Sequence, residues 1–171
     1  MQLALRVSIF LVGCIGMTVA LDNGMALTPP MGWRSWNLYG GNVSQKLIED
    51  MMEGLVSRKR MVDGKPTSLC DLGYCDIGLD DNWQICRSRR KKRFRYHTFD
   101  GHPRVDLVRF PNLKSMVNKA HKYGLTAGFY LNNCLCKEEY CGSGVRFGEE
   151  DTKCYRGDVS LVHHAGFDSV K

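Results

Sequence analysis

Along the chain, short continuous apolar runs alternate with stretches in which apolar residues return every three or four positions. That is the pattern of strands alternating with amphipathic helices. Residues 31–37 form the first strand candidate and carry Trp33 and Trp36. Ser44 is placed to cap a following helix, on which Leu47, Ile48, Met51, Met52, Leu55 and Val56 make one apolar face. Residues 74–79 read as a second strand that ends in Asp80-Asp81. Pro111-Asn112 opens a second helix with Leu113, Met116, Val117, Ala120 and His121 on one side. Gly124 closes it, as glycine often does at a helix C-terminus. Residues 125–131 give a third strand, 159–164 a weaker helix closed by Gly166, and 167–170 the start of a fourth strand.

The predicted order is β-α-β-α-β-α-β, which implies parallel strands joined by helical crossovers. An open doubly wound sheet and a (β/α)8 barrel both fit. No G-x-G-x-x-G follows the first strand, so dinucleotide binding has no support. Polar and aromatic residues gather just past strand ends, where a barrel builds its active site. A barrel needs about 250 residues, so four strands amount to half of one.

Composition adds compartment and charge. Residues 1–20 combine one early cation, an uncharged apolar stretch and a small-residue Thr18-Val19-Ala20 end, the layout of a secretory signal peptide. A membrane anchor is the alternative, but a spanning helix needs about 20 apolar residues. The domain expected to fold is therefore 21–171, routed to secretion or to a lysosomal or vacuolar compartment, with no membrane anchor. Seven cysteines remain in it: Cys70, Cys75, Cys86, Cys134, Cys136, Cys141 and Cys154. Their spacing lacks the paired C-x2-C of a zinc ribbon, and disulfides are the expected use in an oxidising compartment. An odd number leaves at least one without an internal partner. The net charge of +6 lies almost wholly in the run 87–95. That run reads as a solvated basic loop, with a proprotein-processing site or a polyanion patch as alternatives. Nucleic acid is not an expected partner, because a nuclear signal conflicts with export. Asn42-Val43-Ser44 is an N-glycosylation sequon.

Five motifs in sequence carry a family resemblance. Residues 21–37 read L-D-N-G-M-A-L-T-P-P-M-G-W-R-S-W-N; Asp80-Asp81-Asn82-Trp83 gives D-D-x-W; Arg109-Phe110-Pro111 gives R-F-P; residues 123–130 read Y-G-L-T-A-G-F-Y; and Asp168-Ser169-Val170-Lys171 matches the opening of D-x-x-K-x-D-G-C. In this order and spacing the chain resembles the N-terminal half of an α-galactosidase of glycoside hydrolase family 27, whose fold is α/β, a (β/α)8 barrel. The resemblance spans residues 21–171.

The resemblance implies a retaining hydrolase acting on terminal α-galactosides, with no metal and no cofactor. Retention needs two carboxyl groups about 5–5.5 Å apart. In the family the nucleophile stands two places after the lysine matched by Lys171, so it is expected beyond that residue, with the acid/base further on. Asp80 and Asp81, adjacent on a strand, point to opposite sides and do not suit that pair. The resemblance assigns them to substrate binding, as acceptors for the 4- and 6-hydroxyls of galactose. Trp36 resembles the aromatic that packs on the sugar, Tyr130 the strand-three tyrosine, and Lys171 a lysine that bonds ring hydroxyls. Cys141 resembles a loop cysteine whose partner follows K-x-D-G, and is expected to lack a partner here. Asn82 replaces a cysteine common in the family, and 39–43 lacks that cysteine's partner. Family members are often homodimers. Three readings follow: an α-galactosidase-like enzyme, inactive as these 171 residues alone; a sugar-binding pseudoenzyme, or a parent enzyme that prefers α-N-acetylgalactosamine; and a polyanion-binding protein using the basic run.

Overall fold

The computed structural model describes Gly24 and residues 27–86, 96–132, 136, 141 and 149–171. The proposed signal segment and the basic run lie outside the described residues. The chain divides into two units, Met1–Pro30 and Met31–Lys171. In the first, residues 27–30 are bends and coil. All that follows concerns the second. No helix among the described residues is long and apolar enough to cross a membrane.

The elements are β1 (Gly32–Arg34), α1 (Trp36–Tyr39), α2 (Gln45–Val56), β2 (Arg60–Val62), β3 (Lys65–Thr67), a 3-10 turn (Cys70–Leu72), β4 (Asp76–Gly78), α3 (Leu113–Lys122), β5 (Thr126–Phe129), α4 (Glu149–Ala165) and β6 (Ser169–Val170). Strands β1, β4, β5 and β6 form one parallel sheet in that order. A doubly wound sheet reverses its order at a switch point. Here each strand is added to the same side of its predecessor, which is how a barrel grows. The four parallel strands form part of a (β/α)8 barrel, and β2–β3 is a separate hairpin.

Local chemistry accounts for the helices. Ser44 Oγ accepts from the Leu47 backbone N–H at 3.2 Å and starts α2. Ile48, Met52 and Leu55 are its buried stripe. Asn112 Oδ1 accepts from Ser115 N–H at 2.9 Å and starts α3, which buries Leu113, Met116, Val117 and Ala120. Gly124, at φ 72°, takes the left-handed conformation that ends it. Lys119 on α3 reaches Glu49 (3.2 Å) and Glu53 (2.9 Å) on α2 and ties the two helices across their rims. Ile77, Leu79, Ala127 and Phe129 from the sheet join Ile48, Met52, Met116 and Val117 in one buried core.

Several boundaries differ from the sequence expectation. The first strand stops at Arg34 because Ser35 turns into the helical region (φ −69°, ψ −28°) and its buried Oγ accepts from Asp80 N–H at 3.0 Å. Trp36 therefore opens a short helix rather than ending a strand. His121 is exposed and bonds Asp168 at 2.9 Å instead of packing in the core. The last helix begins ten residues earlier than its periodicity suggests, at Glu149, because polar residues dilute the pattern on its first turns. The hairpin β2–β3 was not anticipated. Its signal was present in Asp63-Gly64, both at positive φ (49° and 74°), the conformation a two-residue hairpin loop demands.

Arg109 organises the loop that follows β1. Its Nε donates to Asp106 Oδ2 at 2.8 Å, its Nη1 to the carbonyls of Gly41 and Val43 at 3.4 Å, and its own carbonyl accepts from Gln45 N–H at 2.8 Å. The same Gly41 carbonyl accepts from Asn82 Nδ2 at 2.6 Å. A hydrogen bond thus joins the two places where the family resemblance expects a disulfide. Phe110 beside it is fully buried, so the R-F-P motif is a structural clamp.

Burial opposes ionisation of Asp106, but the Arg109 guanidinium and the backbone N–H groups of Arg109 and Val108 outweigh it and hold the carboxyl below the usual carboxylate range. A folded-state value below the unfolded one, about 3.9, contributes stability above that pH and loses it as pH falls through the folded value. Asp106→Asn is therefore expected to lower the unfolding free energy by about 1–2 kcal/mol at pH 7, with the gap narrowing below about pH 4. Urea titrations of both proteins at pH 7 and pH 3 check this; a gap independent of pH would refute it.

Candidate active site

In parallel pairing, residues in register lie side by side on one face, and every second residue returns to that face. Arg34, Gly78 and Gly128 are in register, and Gly128 pairs with Ser169. Two residues beyond Gly78, Gly128 and Ser169 stand Asp80, Tyr130 and Lys171, whereas Trp36, two residues beyond Arg34, has already turned into α1. Asp80, Tyr130 and Lys171 are three of the five residues expected to bind sugar, and they form one row past the strand ends. The intervening residues, Ile77, Leu79, Ala127 and Phe129, point the other way into the helix-facing core.

The row converges on Asp80, which is 4% exposed. Its Oδ1 accepts from the Asp81 backbone N–H at 2.9 Å. Its Oδ2 lies 3.9 Å from Arg34 Nη1 and 3.9 Å from Lys171 Nζ. Two cations draw this oxygen without making a hydrogen bond to it, so it retains acceptor capacity. Lys171 Nζ also sits 5.3 Å from the centre of the Tyr130 ring. Tyr130 is held through its main chain, whose carbonyl accepts from the indole N–H of the buried Trp83 at 2.7 Å. Trp36, at the start of α1, is 42% exposed.

Asp81 is turned aside from this group. Its Oδ1 accepts from Asn82 N–H at 2.8 Å and from Gln84 Nε2 at 2.7 Å. Gln84 is 2% exposed and also donates to Asn132 Oδ1 at 2.8 Å. Asn132 in turn bonds the Cys136 backbone in both directions, at 2.9 and 3.0 Å. The Cys86–Cys136 disulfide closes the circuit and fastens the loop after β4 to the loop after β5. Sequence reasoning missed Arg34 and Gln84. For Arg34 the available signal was a charge inside the otherwise uncharged strand candidate 31–37. Gln84 gave none, because its partners are 3 and 48 residues away.

The expectation that Cys141 lacks a partner is corrected. Cys141 is bonded to Cys154 on α4, and both are buried beside the His97–Asp158 pair, whose atoms are 3.1 Å apart. Loop cysteine and helix cysteine are brought together by α4 starting early enough to include residue 154. Cys70–Cys75 is the third described disulfide, and Cys134 lies outside the described residues. Of metal-ligand types, His97, Cys141 and Cys154 have ligand atoms within 4.8 Å of one another, but the disulfide takes both sulfurs. Asn42, the sequon residue, is exposed.

No family model matches the chain. An α-galactosidase of Coffea arabica is 32% identical over 139 residues, 79% of this chain and 32% of that protein. One from Cyamopsis tetragonoloba is 30% identical over 138 residues, 78% of this chain and 29% of that protein. The crystal structure of α-galactosidase I from Mortierella vinacea superposes with a TM-score of 0.59 at 28% identity, covering 87% of this chain and 32% of that one. The chain spans less than a third of the length of these relatives. Its homologues are α-galactosidases of the glycoside hydrolase family 27 type, and its fold is the N-terminal part of their barrel.

Mass mapping of a non-reduced digest is expected to recover Cys141 joined to Cys154, and Cys86 to Cys136. Replacing Cys86 and Cys136 together by Ser opens a link that spans 50 residues. It should lower the unfolding free energy by about 2–4 kcal/mol; an unchanged urea midpoint would refute the fastening role.

Proposed function

We propose that the protein is a retaining hydrolase of α-galactosides, and that the strand ends described above form its galactose-recognising part. The observation that carries the reading is Asp80 Oδ2, buried at a strand end with Arg34 and Lys171 each 3.9 Å away, in a chain whose homologues are α-galactosidases. A carboxylate is an acceptor that sugar hydroxyls can satisfy, and charge-assisted bonds of this kind are stronger than neutral ones. A lysine beside it supplies donors to ring oxygens. Tyr130, beside Lys171, and the part-exposed Trp36 are aromatic surfaces suited to the apolar C–H face of a pyranose. Asp81, anchored by Gln84, is the second acceptor, its Oδ2 being the atom that remains for ligand.

Asp80 and Asp81 do not serve as the catalytic pair. Two groups that act from opposite sides of a glycosidic bond need a separation of about 5–5.5 Å and a common target, whereas these two lie on successive residues with different orientations. Their role is to place the ring, and the axial hydroxyl of galactose is what an acceptor here would select. Export fits the same reading: the three disulfides among the described residues belong to an oxidising compartment, and residues 1–20 have the layout of a secretory signal.

Isothermal titration of the 171-residue chain with methyl α-D-galactopyranoside tests the reading. Binding is expected, with the α-D-glucopyranoside weaker by about tenfold or more. Asp80→Ala should reduce galactoside affinity by about tenfold or more, through loss of a charged acceptor. Equal affinity for the two sugars, or an Asp80→Ala protein that binds as tightly as wild type, would overturn it.

A further inference from the structure

Arg34 lies beneath the row that holds Asp80, and two neighbouring strands are bare where its side chain crosses them. A Cβ on Gly78 would come within 2.6 Å of Arg34 Cγ and 2.9 Å of Cζ, and one on Gly128 within 2.9 Å of Nη2. Both glycines have ordinary negative φ or extended backbone, since neither is among the positive-φ residues. What they provide at these positions is space. The guanidinium fills that space and presents Nη1, which is buried with no hydrogen-bond partner among the described residues, toward Asp80 Oδ2 at 3.9 Å. The carboxylate itself is more than nine-tenths buried. A donor and an acceptor thus face each other across a gap too wide for a direct bond, at a level where buried polar groups are normally paired.

We propose that Arg34 is a ligand-contacting, specificity-determining residue of the sugar site. Nη1 donates to the oxygen of one hydroxyl of the bound sugar, and that hydroxyl gives its own proton to Asp80 Oδ2. The width of the gap selects the group. An oxygen about 2.8 Å from each atom spans it with normal hydrogen-bond lengths on both sides. A hydroxyl both accepts and donates, so it satisfies the two protein groups at once. An ether oxygen satisfies only the arginine, and a deoxy carbon satisfies neither. The arginine therefore reads the presence of a hydroxyl, while Asp80 alone would read only a donor. This inference rests on the proposed function and assigns to it a residue outside the set expected from the motifs.

The test is a titration of the 171-residue chain with methyl α-D-galactopyranoside and with its 4-deoxy and 6-deoxy analogues. Wild type should bind the parent more tightly than the analogue that lacks the bridging hydroxyl. Arg34→Met is expected to lower affinity for the parent by about tenfold or more while leaving that analogue little changed, so that the preference collapses. Arg34→Lys, which keeps the charge and stem but lacks Nη1, should lose the same preference; it serves if the methionine variant does not fold, as judged by circular dichroism. Gly78→Ala, which displaces the arginine without altering a polar group, should act in the same selective way. Variants of Arg34 that keep both affinity and preference would overturn the proposal, as would an equal loss for parent and analogues. Wild-type protein that binds none of the three sugars would instead defeat the proposed function, and this inference with it.

Discussion

The in-register pairing of four parallel strands is the constraint from which the site follows. Parallel ladders align equivalent residues side by side, and the two-residue pleat then repeats that alignment one level higher. Arg34, Gly78, Gly128 and Ser169 share one level; Asp80, Tyr130 and Lys171 share the next, while the chain leaves the sheet at Ser35. The opposite parity, with Ile77, Leu79, Ala127 and Phe129, is committed to the core under the helices. A one-residue slip in any strand would exchange the two sets, placing a carboxylate in the hydrophobic core and a large apolar side chain in the site. The penalty for that exchange protects the register, so the core that stabilises the fold also positions the polar row.

Loop anchorage then refines what the strands place. The loop after β1 is held by the Gly41 carbonyl, which receives both Asn82 Nδ2 and Arg109 Nη1. The loops after β4 and β5 are joined by the Cys86–Cys136 bond and by the chain of contacts from Asp81 through Gln84 to Asn132. Asn82 is at positive φ (76°), a conformation asparagine tolerates better than most residues. It lets the chain turn sharply between Asp81 and Trp83, so that Asp81 faces Gln84 while the indole of Trp83 reaches back to Tyr130. Residues that look like binding motifs in one dimension therefore divide into those that meet a ligand and those that hold the backbone still. Trp83 and Arg109 belong to the second kind.

The electrostatics of the site are local. Asp80 has two cations near one oxygen and a backbone donor at the other. Asp81 accepts from neutral donors at Oδ1. Two adjacent carboxylates so differently surrounded are suited to different tasks: one to a contact between cations that changes when a ligand arrives, the other to an acceptor held in a fixed position. Away from the site, Asp106 draws on a single guanidinium that also clamps two backbone carbonyls, which makes a surface ion pair part of the loop architecture.

Periodicity and caps were enough to place α2 and α3, because Ser44 and Asn112 sit immediately before clear apolar stripes and the signals are local. The alternation of elements was enough for parallel strands, and the motifs for the barrel. The family resemblance carried by those motifs is what named Asp80, Tyr130 and Lys171; no periodicity did so. What the sequence could not determine was whatever depends on partners far along the chain. The bond between Cys141 and Cys154 needs the early start of α4. The role of Gln84 needs Asn132, and that of Arg34 needs two glycines 44 and 94 positions later to leave it room. Hydrophobic spacing reports which face of an element is buried; only the assembled sheet decides which buried polar atoms meet, because that depends on register between strands and not on order within one.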